Sequence, residues 1–245
     1  MDIKIYDKLA RRYDLATKIV SFGIEEIWRK VFIRTIRKFI KNSVMIDLAS
    51  ATGEMAKVGF DKIYFVEPSR EMIKVMIEKF KSKGFKEEKF EVQFQERPYF
   101  KLKKENKEYI IISSTAEEFA INEKADLITA FMAFRNFDDI KRASENIDKH
   151  LKNGGYLAIV EMVKNDSLFS KLILWYMNNI VPLIAGVLVG MKEEYKLLGR
   201  SIDSLNEEKI LENFKDYDIL VNKKLFFPIA KMYIMRKNER ENIKS

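Results

Sequence analysis

The 245-residue chain contains no cysteine. That excludes a disulfide framework, thiolate zinc sites and any cysteine nucleophile. It has one histidine, His150, so multi-histidine metal sites are excluded and a Ser-His-Asp hydrolase would hinge on a single residue. Glycine and proline number 9 and 4, where average usage gives about 17 and about 12 in a chain this long. Loops are expected to be short, and each loop glycine informative. Long apolar runs are equally scarce. Leu172–Gly190, LILWYMNNIVPLIAGVLVG, is an uncharged stretch close to the roughly 20 residues that cross a bilayer. Asn178, Asn179 and Pro182 interrupt its centre, so it reads as two short apolar helices broken at Pro182. The N-terminus, MDIKIYDKLARRYD, lacks the apolar region of a signal peptide, which makes the cytoplasm the expected compartment.

What is present is a core-forming composition: 47% hydrophobic and 33% charged residues. This is too apolar for a disordered chain and long enough to bury a sizeable core. The net charge of +8 suits nucleic acid, an anionic membrane surface or no specific partner. Richness in Lys and Glu with little glycine also matches thermophile composition.

Residues 6–40 read as two helices broken at Phe22-Gly23, the second carrying Ile27, Trp28, Val31, Phe32, Ile36 and Ile40 at helical period. Buried parallel strands are expected at Val44–Leu48, Ile63–Val66, Tyr109–Ser113, Asp126–Phe131 and Tyr156–Val163. Helices are expected from Ser69 to about Lys83 and from Asp138 to Leu151, the latter stopped by Asn153-Gly154-Gly155. The charged segment 84–108 reads as an insertion with a strand or hairpin at Phe90–Phe94. A helix over Ser204–Phe214 and strands at Tyr217–Phe227 and Ile229–Arg236, paired around Pro228, complete the chain before a charged tail. Five strand–helix alternations imply a doubly wound α/β sheet, with the ligand at the C-terminal strand ends.

Those ends carry unusual residues. Asp47-Leu-Ala49-Ser50-Ala51-Thr52-Gly53 follows the first strand, and Glu67-Pro68 ends the second. Thr115–Glu117 and Phe131–Asn136 follow the third and fourth. An acid ending the second strand can accept both hydroxyls of a ribose, and small residues in the first turn let a ligand approach the backbone. The turn lacks G-x-G-x-x-G and a Walker lysine, which disfavours NAD and phosphate. A nucleoside without phosphates points to S-adenosylmethionine; an ordinary strand–helix turn with a surface acid is the plainer alternative.

Further blocks resemble the C-methyltransferases of ubiquinone and menaquinone biosynthesis, a class I S-adenosylmethionine-dependent family. They are Tyr6-Asp7-x-x-Ala10-x-x-Tyr13-Asp14, Ser21-Phe22-Gly23-Ile24 with Trp28-Arg29, DLASATGEMA from Asp47 to Ala56, Phe134-Arg135-Asn136-Phe137-Asp138 and Leu151-Lys-Asn-Gly-Gly155. A last block runs through Trp175-Tyr176, Val181–Ile184, Tyr195–Leu198 and Ser201-Ile202. The resemblance implies a Rossmann-like, doubly wound, seven-stranded sheet at 41–240, with N-terminal helices at 1–40, cap helices at 168–200 and a tail at 241–245.

By the same resemblance the cofactor is S-adenosyl-L-methionine. It implies a cofactor site of Asp47, Ala49, Ser50, Ala51, Thr52 and Gly53, with Glu67 and Pro68 at the ribose, Thr115 and Ala116 at the adenine, and Phe131. Arg135 and Asn136 would face the acceptor ring, and Tyr13, Trp175, Tyr176 and Tyr195 would bind the substrate. Ala51 replaces the family's usual glycine, so a positive φ there would be strained. The implied reaction is C-methylation of a prenylated quinol, with peripheral contact to an anionic membrane and no nucleic-acid partner; a homodimer is left open. No metal is implied, and His150 reads as structural. Competing readings are another lipophilic acceptor, a nucleic-acid methyltransferase suggested by the charge, and a non-catalytic methyltransferase-like subunit of a quinone-synthesis assembly.

Overall fold

Runs as short and apolar as Val44–Leu48 can cover both faces only in a sheet flanked by helices on each side, and the chain builds one. The computed structural model describes residues 3–41, 44–88, 99–163, 167–190, 192–193, 195–196, 205–225 and 229–239. In chain order its helices are α1 (Ile3–Leu9), α2 (Tyr13–Val20), α3 (Ile24–Phe39), α4 (Arg70–Ser82), α5 (Ile140–His150), α6 (Leu168–Asn179), α7 (Val181–Val189) and α8 (Glu207–Leu211). Its strands are β1 (Val44–Leu48), β2 (Lys62–Val66), β3 (Lys86–Glu88), β4 (Tyr99–Lys104), β5 (Lys107–Ile112), β6 (Ala125–Phe131), β7 (Leu151–Met162), β8 (Tyr217–Lys224) and β9 (Ala230–Lys237).

The sheet order is β3-β4-β5-β2-β1-β6-β7-β9-β8. Five strands, β5-β2-β1-β6-β7, are parallel, and an antiparallel pair closes each edge. The expected seven strands, β5 through β8 in this order, are there; the observed sheet has nine. The additions come from the 84–108 segment. β4 covers the edge of β5, and the new edge, β3, is only three residues of Lys and Glu, a short charged rim that resists further pairing. The strand expected at 90–94 lies outside the described residues.

Alternation along the strands divides the core. Met45, Phe65, Ile111 and Leu127 join Trp28, Phe32 and Ile36 of α3 and Ile73, Met76 and Phe80 of α4. Ile46, Val66, Ile112 and Ile128 join Ala143 and Ile147 of α5 and Ile210 of α8 on the other face. Side-chain caps fix where helices start: Ser69 Oγ accepts from Met72 N at 3.1 Å and Asp139 Oδ1 from Arg142 N at 3.0 Å. The chain runs outward from β1 through β2 to β5, then returns to β6. The order therefore reverses between β1 and β6, where a crevice opens at the C-terminal ends.

Some sequence expectations are corrected. The segment before Phe22-Gly23 is α1, a 3-10 turn at Ala10–Arg12 and α2, rather than one helix. Helix α5 ends at His150, and Asn153-Gly154-Gly155 lies inside β7 rather than after a helix. There β7 slips in register, pairing Leu151 with Ala125 but Tyr156 with Leu127, and Gly154 absorbs the slip at φ 72°. The expected break at Pro182 is present: α6 ends at Asn179 and Pro182 stands in the first turn of α7, where its missing N–H costs nothing. No described helix is long and apolar enough to cross a membrane. α8 is shorter than expected and begins after Asn206; Ser204 and the turn at Pro228 lie outside the described residues. His150 is structural: Nδ1 faces Asn146 O at 2.9 Å, Nε2 accepts from Ile121 N at 3.4 Å, and its ring lies 4.6 Å from that of Phe119.

Candidate active site

The crevice between β1 and β6 widens into a cavity of about 840 Å³. The first turn supplies Asp47, Ala49, Ser50, Ala51 and Thr52 to its wall, and the end of β6 supplies Phe131, Arg135 and Asn136. Tyr13 comes from α2, Trp175 and Tyr176 from α6, and Tyr195 from beyond α7. Residues as far apart as Tyr13 and Tyr195, nominated separately by sequence, thus meet in one chamber. Gly53, Glu67, Pro68, Thr115 and Ala116, also expected at the site, are not among the residues that line it.

The first turn is strained. Ala49 and Ala51 have φ 49° and 48°, and Met132, after β6, has φ 57°. Such backbone costs an L-residue about 1–2 kcal/mol and concentrates at functional sites. Ser50 Oγ donates to Asp47 O at 2.7 Å, and Ala51 N donates to Glu67 Oε2 at 2.8 Å. Gly53 is required twice over: its φ is 76°, and a Cβ would lie 2.7 Å from Phe80 Cζ. Its smallness lets α4 press against the turn.

Two buried acids underlie this region. Glu67 accepts Ala51 N and, at 2.9 Å, Ser69 N; burial outweighs both bonds and pushes its pKa up to about 7. A carboxylate has about four acceptor positions, so two remain for a ligand's hydroxyls. Asp47 accepts from Thr129 Oγ1 at 2.6 Å, its partner across β1 and β6. Burial raises its pKa to about 7 against that bond and the charge of Arg29.

The inner end of the cavity is built around an ion pair. Arg135 binds Glu161 through its guanidinium and, at 3.3 Å, through its backbone N–H. Glu161 is fully buried and also accepts from Met162 N at 2.8 Å. Burial alone would lower the Arg135 pKa; Glu161 reverses this and raises it. Among the described residues Arg135 Nε has no hydrogen-bond partner, and neither do Ser21 Oγ and Tyr176 Oη, two other buried atoms of cavity-lining residues. Buried polar atoms are normally satisfied, so this chamber is matched to a ligand bearing polar groups. Tyr6 reaches Asn136 here, and burial raises its pKa. Burial likewise raises that of Tyr13, and that of Tyr195 to about 12. All three remain neutral hydrogen-bond donors at neutral pH.

Sequence reasoning did not single out Tyr6, Arg29 or Glu161 as site residues. Glu161 had a signal, as the one acid in the apolar run Leu157–Val163. Arg29 had a weaker one, a cation one residue from the buried Trp28 on an amphipathic helix.

The outer end differs. Phe22, Leu172 and Trp175 form its rim, 72%, 58% and 55% exposed, and Ile24, Trp28, Met162, Ile173 and Ile229 add apolar lining to the cavity. Over the first turn lie α1 and α2. Asp14 accepts from Thr52 Oγ1 at 2.7 Å and from Lys79 Nζ at 2.9 Å, and Asp7 accepts from Ser69 Oγ at 2.6 Å. Leu9, Ala10 and Ala16 bury against Met72, Val181, Ala185 and Tyr195, tying these helices to the cap.

The chain is similar to known methyltransferases along its length. The demethylmenaquinone methyltransferase of Thermotoga maritima is 26% identical, covering 95% of this chain and 94% of that protein. The ubiquinone/menaquinone biosynthesis C-methyltransferase UbiE of Campylobacter jejuni is 25% identical, covering 96% and 97%. Among solved structures, the N-methyltransferase NodS of Bradyrhizobium japonicum with S-adenosyl-L-homocysteine superposes with a TM-score of 0.56 at 12% identity, covering 88% of each chain, a likeness of fold. The model of the ubiE/COQ5 methyltransferase family matches residues 3–219. With the crevice, the first turn and the sheet order already described, this match means that the chain belongs to the ubiE/COQ5 methyltransferase family and is an S-adenosylmethionine-dependent methyltransferase.

Proposed function

We propose that the chain methylates a ring carbon of a quinol carrying an apolar tail. The observation that carries this reading is the division of one cavity. A buried arginine–carboxylate pair, its Arg135 Nε without a partner among the described residues, occupies the buried end, and apolar side chains of the same lining become exposed at Phe22, Leu172 and Trp175. A polar ring head fits the first part and a hydrocarbon tail the second. The names of the relatives from Thermotoga and Campylobacter point to the same acceptor class.

The residues present fit the cofactor. The strained, small-residue turn brings backbone within reach of a ligand. Thr52 and that turn would hold the amino-acid end, Glu67 the ribose through its remaining acceptor positions, and Thr115 and Ala116 the neighbourhood of the adenine. When bound, S-adenosylmethionine supplies an electrophilic methyl group. The chain must then orient the acceptor ring and stabilise the negative charge that builds on its oxygen as the phenolic proton leaves. Arg135 does the second: it is permanently cationic, fixed by Glu161, and has a donor to spare. Asn136, Tyr6 and Tyr13 orient the ring oxygens.

Leu168, Leu172, Trp175, Leu183 and Val187 on α6 and α7 expose apolar side chains, as does Phe22, and Phe22, Leu172 and Trp175 also line the cavity. This supports docking at a bilayer surface, with the tail entering from the lipid and the +8 charge favouring anionic headgroups. Mass spectrometry of quinones from cells lacking this protein tests the function. An accumulated species one methyl lighter is expected; an unchanged quinone pool would refute a quinol acceptor.

A further inference from the structure

Among the described residues two arginines line the cavity, Arg29 and Arg135, and they are held differently. Arg135 belongs to the inner end, locked to the fully buried Glu161 of β7. Arg29 projects from α3 into the same cavity as the first turn, where Glu54, Asp47 and Asp14 are among the charges that act on it. Its guanidinium carbon lies 4.3 Å from the centre of the Phe131 ring, and the Phe131 ring is 5.8 Å from that of Phe32 beneath it. One guanidinium nitrogen, Nη2, binds Glu25 one turn earlier on the same helix. An arginine has five N–H donors in a planar fork, so this pairing leaves donors over, and the aromatic face holds the plane in place.

Glu25 takes one nitrogen of Arg29, and the other acids near it are engaged elsewhere. Glu54 is paired with Lys57 and Lys79, Asp14 is paired with Lys79, and Asp47 is committed to Thr129. A largely buried guanidinium that keeps donors beyond the Glu25 pair, with its flat face on Phe131, and that lines the same cavity as the first turn, suits an α-carboxylate. S-adenosylmethionine is the ligand here that carries one. Phe131 thereby gains a role as the platform of this cation.

We propose that Arg29, braced against Phe131, reads the α-carboxylate of the cofactor's amino-acid end. The inference rests on the cofactor's identity and not on the quinol acceptor, so it can fail while that reading stands.

Calorimetry with three nucleosides tests it without any turnover. S-adenosylhomocysteine carries the carboxylate, its decarboxylated thiopropylamine analogue keeps only the amine, and 5′-methylthioadenosine has neither. The wild-type chain is expected to prefer S-adenosylhomocysteine over the decarboxylated analogue by about tenfold or more, as for a charge-assisted hydrogen bond. Arg29→Met should abolish that preference and leave 5′-methylthioadenosine affinity nearly unchanged, and Arg29→Lys should keep part of it. Equal wild-type affinity for the first two ligands would overturn the proposal. So would an Arg29→Met variant that weakens all three ligands alike, which would make Arg29 a purely structural residue. If Arg29→Met does not fold, Phe131→Leu takes its place: a several-fold smaller preference supports the platform, and an unchanged one contradicts it.

Discussion

The two ends of the cavity are made in different ways. The inner end stands on the sheet. Asp47, Thr129, Arg135 and Glu161 project from or just beyond adjacent strands whose register is fixed by neighbours on both sides, and their polar atoms bind one another. The outer end stands on helices. Phe22, Leu172 and Trp175 make apolar contacts and keep more than half of their surface in solvent. Chemistry that needs charges held to within a fraction of an ångström rests on the rigid layer. Recognition of a tail needs only apolar area, and the helical layer supplies it.

The largest expected effect tests whether the inner end is as specific as its geometry implies. Arg135→Ala should reduce methyl transfer about 100-fold or more while leaving S-adenosylhomocysteine affinity intact. It should also destabilise the fold by about 3–5 kcal/mol, since Glu161 is left buried and unpaired. Replacing both partners, Arg135→Met with Glu161→Met, should restore stability to denaturant without restoring transfer. If the double variant transfers methyl at the wild-type rate, Arg135 does not stabilise the acceptor oxygen.

The acids beneath the first turn give the next effect. Asp47 and Glu67 have pKa values raised by burial to about 7, so the folded chain binds these protons more tightly than the unfolded chain. Their contribution to stability is therefore present at low pH. It is lost as pH rises from about 4 to about 7 and stays lost above that, with a slope of up to about 1.4 kcal/mol per pH unit for each group. Urea unfolding at several pH values reads this slope, and Asp47→Asn should flatten it by one proton. An unchanged slope would mean that Asp47 is ionised throughout.

At the outer end the effects shrink. Trp175→Ala should raise KM several-fold for an acceptor with a long prenyl tail and leave a tail-less quinol unaffected, because only apolar contact is lost. Equal changes for both acceptors would place Trp175 at the head rather than the tail. The smallest change belongs to the turn itself. Ala51→Gly removes a positive-φ alanine and should stabilise the chain by about 1 kcal/mol, read as a higher Tm. A lower Tm would show that the methyl packs productively.

The same contrast explains what the sequence could reveal. The first turn and the end of β6 were legible because small and polar residues interrupt apolar runs there, and Asp47, Thr52, Arg135 and Asn136 meet in the cavity as that pattern suggested. The suspicion about Ala51 rested on a glycine that the family usually has, and its φ of 48° bears it out. The partners of those residues were not legible. Glu161 is a lone acid in a strand, and nothing local says that it meets a cation 26 residues away. Arg29 could have been a surface cation until Phe131 was placed beneath it. Trp175 and Tyr176 fit a core helix as well as a cavity wall, because apolar spacing alone does not say what covers a face. The two extra edge strands lie in the charged segment 84–108, where a strand or hairpin was expected, but its weak periodicity did not place them at Lys86–Glu88 and Tyr99–Lys104.

The most direct measurement is the carbon spectrum of the product formed from S-adenosylmethionine with a ¹³C-labelled methyl group and a reduced prenylated naphthoquinol having a free ring carbon beside an oxygen. A single labelled methyl bonded to that ring carbon is predicted, and its formation should be lost in the Arg135→Met, Glu161→Met variant. A label found on the quinol oxygen, or no labelled quinol from a chain that binds the cofactor, would contradict a cavity built to make the ring carbon the nucleophile.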